Sequence, residues 1–189
     1  FNSSGKEVNP PCCLEKLNLP KKLQTIGSYA FKNCSLVPFG KLTTWNGLTS
    51  IGAYAFSHCE GVTDLVSPET CNSIGKYAFE YCNGLKTIEM IDKSDDLVMG
   101  GQVFHECSAI EAITLPYAGI NNTDQQDHSQ AASLYLFTYW DTHTPDMEKF
   151  YRINHHFNDS HSFDWYVPKS LVSITIKGGD TIPALAFAN

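Results

Sequence analysis

Charge is scarce in this chain of 189 residues: only 17% are Asp, Glu, Lys or Arg, against about 25% in an average soluble domain. Basic residues are the scarcer kind, 13 against 20 acidic, giving a formal charge of −7 and a sequence pI of about 5.4. Phosphate binding needs a basic stripe, so nucleic acid is not an expected partner. Long hydrophobic runs are missing too. The longest, near Ile182 to Ala188, is broken by Pro183 and falls short of the roughly 20 residues that span a bilayer, so no membrane insertion is expected of this segment. There is no initiator Met and no basic stretch leading into an apolar one with a small-residue cleavage site. The expectation is therefore of an excised piece whose targeting information lies elsewhere. An even cysteine count is also lacking. Seven cysteines exclude a fully paired disulfide framework and leave the redox compartment open.

What is present is enough apolar material for one sizeable core, 42% hydrophobic and 12% aromatic, too much for a disordered chain. It is distributed in repeats. Ile26-Gly-Ser-Tyr-Ala-Phe-Lys-Asn-Cys34 recurs as Ile51-Gly-Ala-Tyr-Ala-Phe-Ser-His-Cys59 and Ile74-Gly-Lys-Tyr-Ala-Phe-Glu-Tyr-Cys82. A degenerate copy runs from Met99 to Cys107, and successive first residues are 25, 23 and 25 apart. A period of this size is the mark of a solenoid.

Between these blocks runs a second phrase of alternating apolar residues ending near a proline. It is seen at Leu14, Leu17, Leu19, Pro20, at Val62, Leu65, Ser67, Pro68, and at Ile110, Ile113, Leu115, Pro116, with Leu85, Ile88 and Met90 as a further copy. Alternation predicts one short strand per coil, and proline marks its end because it cannot donate into a continuing ladder. The Ile-Gly-x-x-Ala-Phe-x-x-Cys block predicts a sharp turn at the glycine. It also predicts interior positions at Ile26, Phe31, Cys34, Ile51, Phe56, Cys59, Ile74, Phe79, Cys82, Phe104 and Cys107. One repeat cannot bury its own face; stacked repeats can, by continuing one ladder.

Joined, the two phrases read Leu-x-x-Ile-x-Leu-Pro-x-x-Leu-x-x-Ile-Gly-x-x-Ala-Phe-x-x-Cys, which Leu14 to Cys34 follows without a gap. This pattern resembles the BspA-like (Treponema-type) leucine-rich repeats, over about residues 14–116 and 168–189. The resemblance implies a leucine-rich-repeat solenoid: a right-handed coil of short parallel β-strands with turns or short helices, about five repeats long. It also implies a secreted or surface-attached protein, as in bacteria and some mucosal protozoa, in large arrays implicated in adhesion to host proteins or other cells. Spacing alone shows a solenoid and nothing of its ligand.

The period vanishes from Tyr117 to Tyr166 and resumes with Val167-Pro-Lys-Ser-Leu171. The expected organisation is repeats over 1–116, an insertion over 117–166, and a resumed repeat over 167–189, cut off in the block Ile182-Pro-Ala-Leu-Ala-Phe-Ala-Asn189, one residue before its expected Cys. Flanking repeats are expected in the parent protein, because a terminal repeat normally carries a polar cap. The insertion is dense in aromatics, which argues for an ordered subdomain rather than a linker. It holds five of the seven histidines, His128, His143, His155, His156 and His161. A metal site or a hydrolytic centre built on His155, His156, His161 and an aspartate is one reading; solvated or core histidines are the other, favoured because no His-Glu-x-x-His or His-x-x-x-His spacing is present. No Gly-x-Ser-x-Gly elbow is present either.

The candidate binding residues are the equivalent tyrosines Tyr29, Tyr54 and Tyr77 and the insertion aromatics Tyr139, Trp140 and Trp165. The tyrosines either line one solvent-facing side as a contact surface or seal the coil edge by covering neighbouring backbone. The insertion rings either stack on sugars or form the insertion's own core. The four equivalent cysteines and Cys71 read as buried thiols, whereas Cys12-Cys13 leaves a strained redox pair open. Of the sequons at Asn2, Asn33, Asn121 and Asn158, the one at Asn33 reads as incidental. The sequence thus points to a non-enzymatic binding module for an extracellular protein or glycoprotein, without a cofactor. A glycan-binding module is the alternative, and a metal-dependent hydrolase is the third reading.

Overall fold

The computed structural model describes residues 14–20, 22–42, 47–91, 97–115, 146–158 and 161–177, of which 153–158 and 161–165 are described for the backbone alone. Among these described residues, eleven strands build three sheets. Five run parallel side by side: β2 (Gly40–Leu42), β4 (Val62–Ser67), β6 (Thr87–Met90), β8 (Ala112–Leu115) and β11 (Ser173–Ile176). A second parallel sheet joins four two-residue strands, β1 (Thr25–Ile26), β3 (Ser50–Ile51), β5 (Ser73–Ile74) and β7 (Val98–Met99). The third is an antiparallel hairpin of β9 (Phe150–Asn158) and β10 (His161–Pro168). No helix occurs among the described residues. This is the solenoid that the periodicity implies, built of short parallel strands as the resemblance to leucine-rich repeats implies, with turns in place of helices among the described residues.

Register turns the repeat into columns. Leu42, Leu65, Ile88, Ile113 and Ile174 are successive ladder partners across the long sheet, and the first four are buried. Ile26, Ile51, Ile74 and Met99 do the same across the short sheet. The rings of Phe31, Phe56, Phe79 and Phe104 form a third column, with centroids 5.3, 5.2 and 5.9 Å apart. Phe31 is half-buried rather than fully interior because it stands on the first described coil, whereas Phe56, Phe79 and Phe104 are sealed.

Three features differ from the sequence pattern. Each coil carries two strands rather than one, because the Ile preceding each glycine makes its own two-residue bridge. Residues 14–20 carry the strand phrase yet form no strand, while β2 forms around Gly40, outside the recognised phrases, with a bulge and a φ of +57° there. The third concerns the glycines. Gly52, Gly75 and Gly100 do not have positive φ; they are small because the neighbouring coil is close. A Cβ on Gly75 would stand 2.4 Å from the Ala53 nitrogen, and one on Gly100 would stand 2.3 Å from that of Lys76. The same residues donate across the gap, Gly52 to the Ile26 carbonyl, Gly75 to Ile51 and Gly100 to Ile74, each at 2.8 Å.

Left-handed conformations fall instead on bulky residues. Tyr29, Tyr54, Tyr77 and Gln102 have φ between 56° and 62°, and Asn33, His58, Tyr81 and Glu106 between 55° and 64°. Overlapping turns explain both rows: Ala30, Lys32 and Cys34 donate to carbonyls three residues back, at Gly27, Tyr29 and Phe31. A turn with φ > 0 at its third residue is of type II and prefers glycine there. Tyr29, Phe31 and Asn33 donate instead to Ala53, Ala55 and Ser57 of the next coil at 2.8–2.9 Å. Every other amide therefore closes a local turn, and those between them bond the coils together.

Close approach makes the glycines unequal. Gly75→Ala should cost about 1–3 kcal/mol of overpacking or more, whereas Gly27→Ala should cost within about 0.5 kcal/mol, as exposed sites do, since a Cβ there meets nothing within 4 Å. Urea unfolding of the two variants measures the difference; equal losses would contradict the close-approach explanation.

Candidate functional site

The turn segment between short and long strands presents three parallel rows of side chains, each set by the repeat register. Tyr29, Tyr54 and Tyr77 form the first. Their rings stack at 5.0 Å and 5.0 Å with interplanar angles of 7° and 24°. Neighbouring strands are about 4.8 Å apart, so a side chain repeated at one register position meets its own copy at stacking distance. Tyr29 is 56% exposed; Tyr54 and Tyr77 are half-buried. Lys32 Nζ lies 5.5 and 5.2 Å from the Tyr29 and Tyr54 ring centres, and Lys76 Nζ lies 5.1 Å from that of Tyr77. The stack spends both faces of Tyr54 on its neighbours, which removes the surface a sugar ring would stack against. Burial, followed by the charges of Glu80 and Tyr29, raises the Tyr54 hydroxyl above its ordinary pKa.

The second row, Lys32, Ser57, Glu80 and His105, is polar and was not singled out from the sequence. Ser57 Oγ donates to Glu80 Oε2 at 2.8 Å, and His105 Nδ1 lies 3.5 Å from Glu80 Oε1. One carboxylate thus ties three successive coils. Burial pushes the Glu80 carboxyl up, but the close approach of the His105 ring, the hydrogen bond from Ser57 and the charges of His105 and His58 together outweigh it and hold the group below its ordinary value. Ser57 is fully buried and aimed at a carboxylate rather than at an imidazole. A serine nucleophile needs the imidazole next to its hydroxyl, so this trio is not assembled as a triad. The third row runs Asn33, His58, Tyr81 and Glu106. His58 stacks on Tyr81 at 4.6 Å, and burial lowers its pKa. His105 closes both aromatic rows, edge-on to Tyr77 at 5.5 Å and to Tyr81 at 5.7 Å. The missed signal was in plain sight: positions 57, 80 and 105 align in the repeat, but their differing types hide that they touch.

Cys34, Cys59, Cys71, Cys82 and Cys107 are buried thiols, and hydrogen bonding gives the repeat thiols their role. Cys59, Cys82 and Cys107 Sγ donate to the carbonyls of Phe31, Phe56 and Phe79 on the preceding coil at 3.0, 3.0 and 2.9 Å. Burial pushes the Cys82 thiol far up, leaving it protonated and unreactive. Cys71 is equally buried, its Sγ 3.7 Å from the Ser73 carbonyl.

The hairpin leaves the array between β8 and β11. Phe150 and Tyr166 at its base are buried, while Tyr151 is 59% exposed beneath the Lys169 ammonium, 5.4 Å from its ring centre. The Ser170 hydroxyl, 3.0 and 2.6 Å from the Ser108 and Ile110 carbonyl oxygens, shares its one proton between them, which ties the returning chain to the solenoid. His155, His156 and His161 sit at register positions opposite Phe163, Ser162 and Asn158, and Trp165 opposite Ile153; the structure does not bring them together with the tyrosine row through any described contact. Among the described residues, no three His, Cys, Asp or Glu are grouped to hold a metal. Tyr139, Trp140, His128, His143, Cys12, Cys13, Asn2, Asn121 and the block from Ile182 to Ala188 lie outside the described residues. Asn33 has its amide committed to Ser57 and a φ of +64°.

Two consequences can be measured. Tyr54→Ala loses two stacking partners, about 1–3 kcal/mol beyond area at 0.5–1.5 kcal/mol per pair. Tyr54→Gly loses the same contacts but relieves a left-handed residue, so it should be about 1 kcal/mol more stable than the alanine variant. This order reverses that of ordinary positions, and thermal melts of the pair check it. Glu80 has a lowered folded pKa, so its contribution is present above the unfolded value near 4.5 and is lost as pH falls through the folded value. Glu80→Gln should lower stability at pH 7 and flatten its fall between neutral and acid pH; parallel curves for both proteins would contradict the role given to Glu80.

A profile of the BspA type Leucine rich repeat region matches residues 6–134 in 6 copies, more than half of the chain. A leucine-rich repeat protein from Bacteroides ovatus ATCC 8483, solved at 1.19 Å, is similar at 23% identity with a TM-score of 0.39. The alignment covers 56% of this chain and 32% of that one, so the chain spans about a third of that protein's length. No curated protein matches. With the repeat in sequence, the parallel ladders in space and the profile over both, the chain belongs to the BspA-type leucine-rich repeat family.

Proposed function

We propose that this chain is a non-catalytic protein-binding module of a cell-surface or secreted leucine-rich-repeat protein, and that it adheres to host or other-cell proteins. The observation that carries the reading is the hairpin. Between β8 and β11 the described residues form an antiparallel ribbon anchored at Phe150, Tyr166 and Ser170. A repeat array is a rigid support, and segments that depart from such a support carry recognition more often than the support does. Internal chemistry favours the same reading. The thiols donate to carbonyls, Ser57 and His105 are engaged with Glu80, and no described group is left poised as a nucleophile. Leucine-rich repeats generally serve as binding modules rather than enzymes. The insertion over 117–166, including Tyr139, Trp140 and Trp165, would then add to the binding face that the repeats support.

Pull-down with the purified chain against extracellular host proteins and mucosal glycoproteins tests this, beside a variant in which residues 120–165 are replaced by a short Gly/Ser turn. Capture by the whole chain and loss in the variant is the expected result. If neither form retains a protein, or if turnover of a substrate is detected, the reading fails.

A further inference from the structure

Two successive coils and the chain entering β9 meet around a polar cavity of about 210 Å³. Tyr81 and Asn83 line it from one coil, Glu106 and Ser108 from the next, and Asp146, Lys149 and Phe150 from the hairpin side. The Lys169 amide donates to the Lys149 carbonyl at 2.8 Å, so this wall is tied to the strand that returns to the solenoid. The volume is below the roughly 300–1,000 Å³ of pockets that take drug-sized ligands, which suits one ring rather than a length of chain. The walls are already oriented. Asn83 Oδ1 accepts from the Ser108 hydroxyl at 3.0 Å and from its amide at 3.4 Å, which fixes the plane of the carboxamide and leaves its NH2 end as the donor side. Asp146 Oδ1 accepts from the Glu148 amide at 3.0 Å. Tyr81 stacks on His58 at 4.6 Å and meets His105 edge-on at 5.7 Å, and Phe150 is buried. Side chains held in this way lose little freedom when a ligand arrives.

The lining mixes both kinds of hydrogen-bonding group, and that mixture selects the ligand. Glu106 and Asp146 accept, the Lys149 ammonium and the Asn83 NH2 donate, and the Tyr81 hydroxyl does either. A guanidinium or ammonium carries donors alone and would meet Lys149. A phosphate, sulfate or carboxylate carries acceptors alone and would meet two carboxylates. A hydroxyl donates and accepts at one atom, so a neutral polyhydroxyl ring satisfies the whole set, with Tyr81 and Phe150 adding aromatic surface for its C–H groups. Lys149 and Asp146 approach each other at 3.3 Å, but both are exposed, and such pairs hold their members weakly enough to yield to a ligand. We infer that this cavity binds a neutral hexose unit carried by a partner glycoprotein. The inference rests on the protein-binding reading and deepens it, naming the group recognised where the hairpin joins the solenoid.

The test follows the backbone amides of the full, isotope-labelled chain by NMR during titration with a panel of methyl glycosides of the neutral hexoses and N-acetylhexosamines. N-acetylneuraminic acid and glucosamine serve as the anionic and cationic probes. At least one neutral glycoside should bind with a dissociation constant of about 1–10 mM, about tenfold more tightly than either charged sugar. The amides of residues 81–83, 106–108 and 146–150 should shift first, since they line the cavity. Asn83→Asp keeps the acceptor for Ser108 and removes the donor, and Lys149→Ala removes the ammonium; each should weaken binding about tenfold. Both residues are exposed, so neither replacement endangers the fold. Preference for a charged sugar, shifts confined to other amides, or binding that survives both substitutions overturns the proposal. So does the absence of binding by every neutral glycoside up to about 100 mM. If no glycoside binds while the pull-down still captures a partner stripped of its glycans, this site alone is removed and the protein-binding reading stands; if capture fails as well, both fall.

Discussion

Close backbone approach between successive coils is the constraint on which the rest of the structure depends. Donation from Gly52, Gly75 and Gly100 to the preceding coil occurs at 2.8 Å, with no room for a Cβ. That spacing brings a ring at one register position into contact with its copy on the next coil, which is why tyrosines and phenylalanines run in stacks. It also explains an apparent conflict. Left-handed backbone costs a bulky residue about 1–2 kcal/mol, yet Tyr29, Tyr54 and Tyr77 adopt it. The stack and the amide bonds to Ala53, Lys76 and Gly101 hold them there, so the strain is tolerable only inside an array.

The buried cysteine follows from the same geometry. A small apolar side chain fits the narrow interior, but the phenylalanine carbonyl of the preceding coil points toward it and gains a second donor from a thiol. Phe31 accepts from both the Cys34 amide and the Cys59 thiol, and Phe79 from the Cys82 amide and the Cys107 thiol. Alanine or valine would fill the space without making that bond. The cysteine at this repeat position is thus a donor of apolar character rather than a half-disulfide in Cys59, Cys82 and Cys107.

Much of this was legible because the repeat writes its register directly. Ile26, Ile51 and Ile74 share a position in the sequence and a column in the fold, and the phenylalanine and cysteine columns follow equally. Where the sequence misled, a local rule stood in for a neighbour effect. Glycine suggested a turn, but the relevant atom was the backbone nitrogen of another coil. The phrase at Leu14 to Pro20 suggested a strand, yet alternation specifies a face and cannot supply the partner whose main chain completes the ladder. Glu80 and His105 were illegible for a different reason. A polar contact between coils joins unlike residues at one register position, so it leaves no repeated letter to notice. The insertion offered aromatics without a period, so nothing in the sequence placed the pairing of β9 with β10.

That third kind of position is where such an array can change without unfolding. Lys32, Ser57, Glu80 and His105 occupy one column and carry four different chemistries, while the phenylalanine column beside them stays aromatic. Replacing one member alters contacts with the coil before and the coil after, and leaves the interior isoleucine, phenylalanine and cysteine columns untouched. Interior columns have no such freedom, because a change of volume at Phe56 is felt by Phe31, Phe39 and Phe79 together. The interior therefore fixes shape, and the polar column is left to differ. A solenoid built this way holds its coils together through backbone and repeated side chains, and leaves to the polar column the positions at which one residue type can replace another.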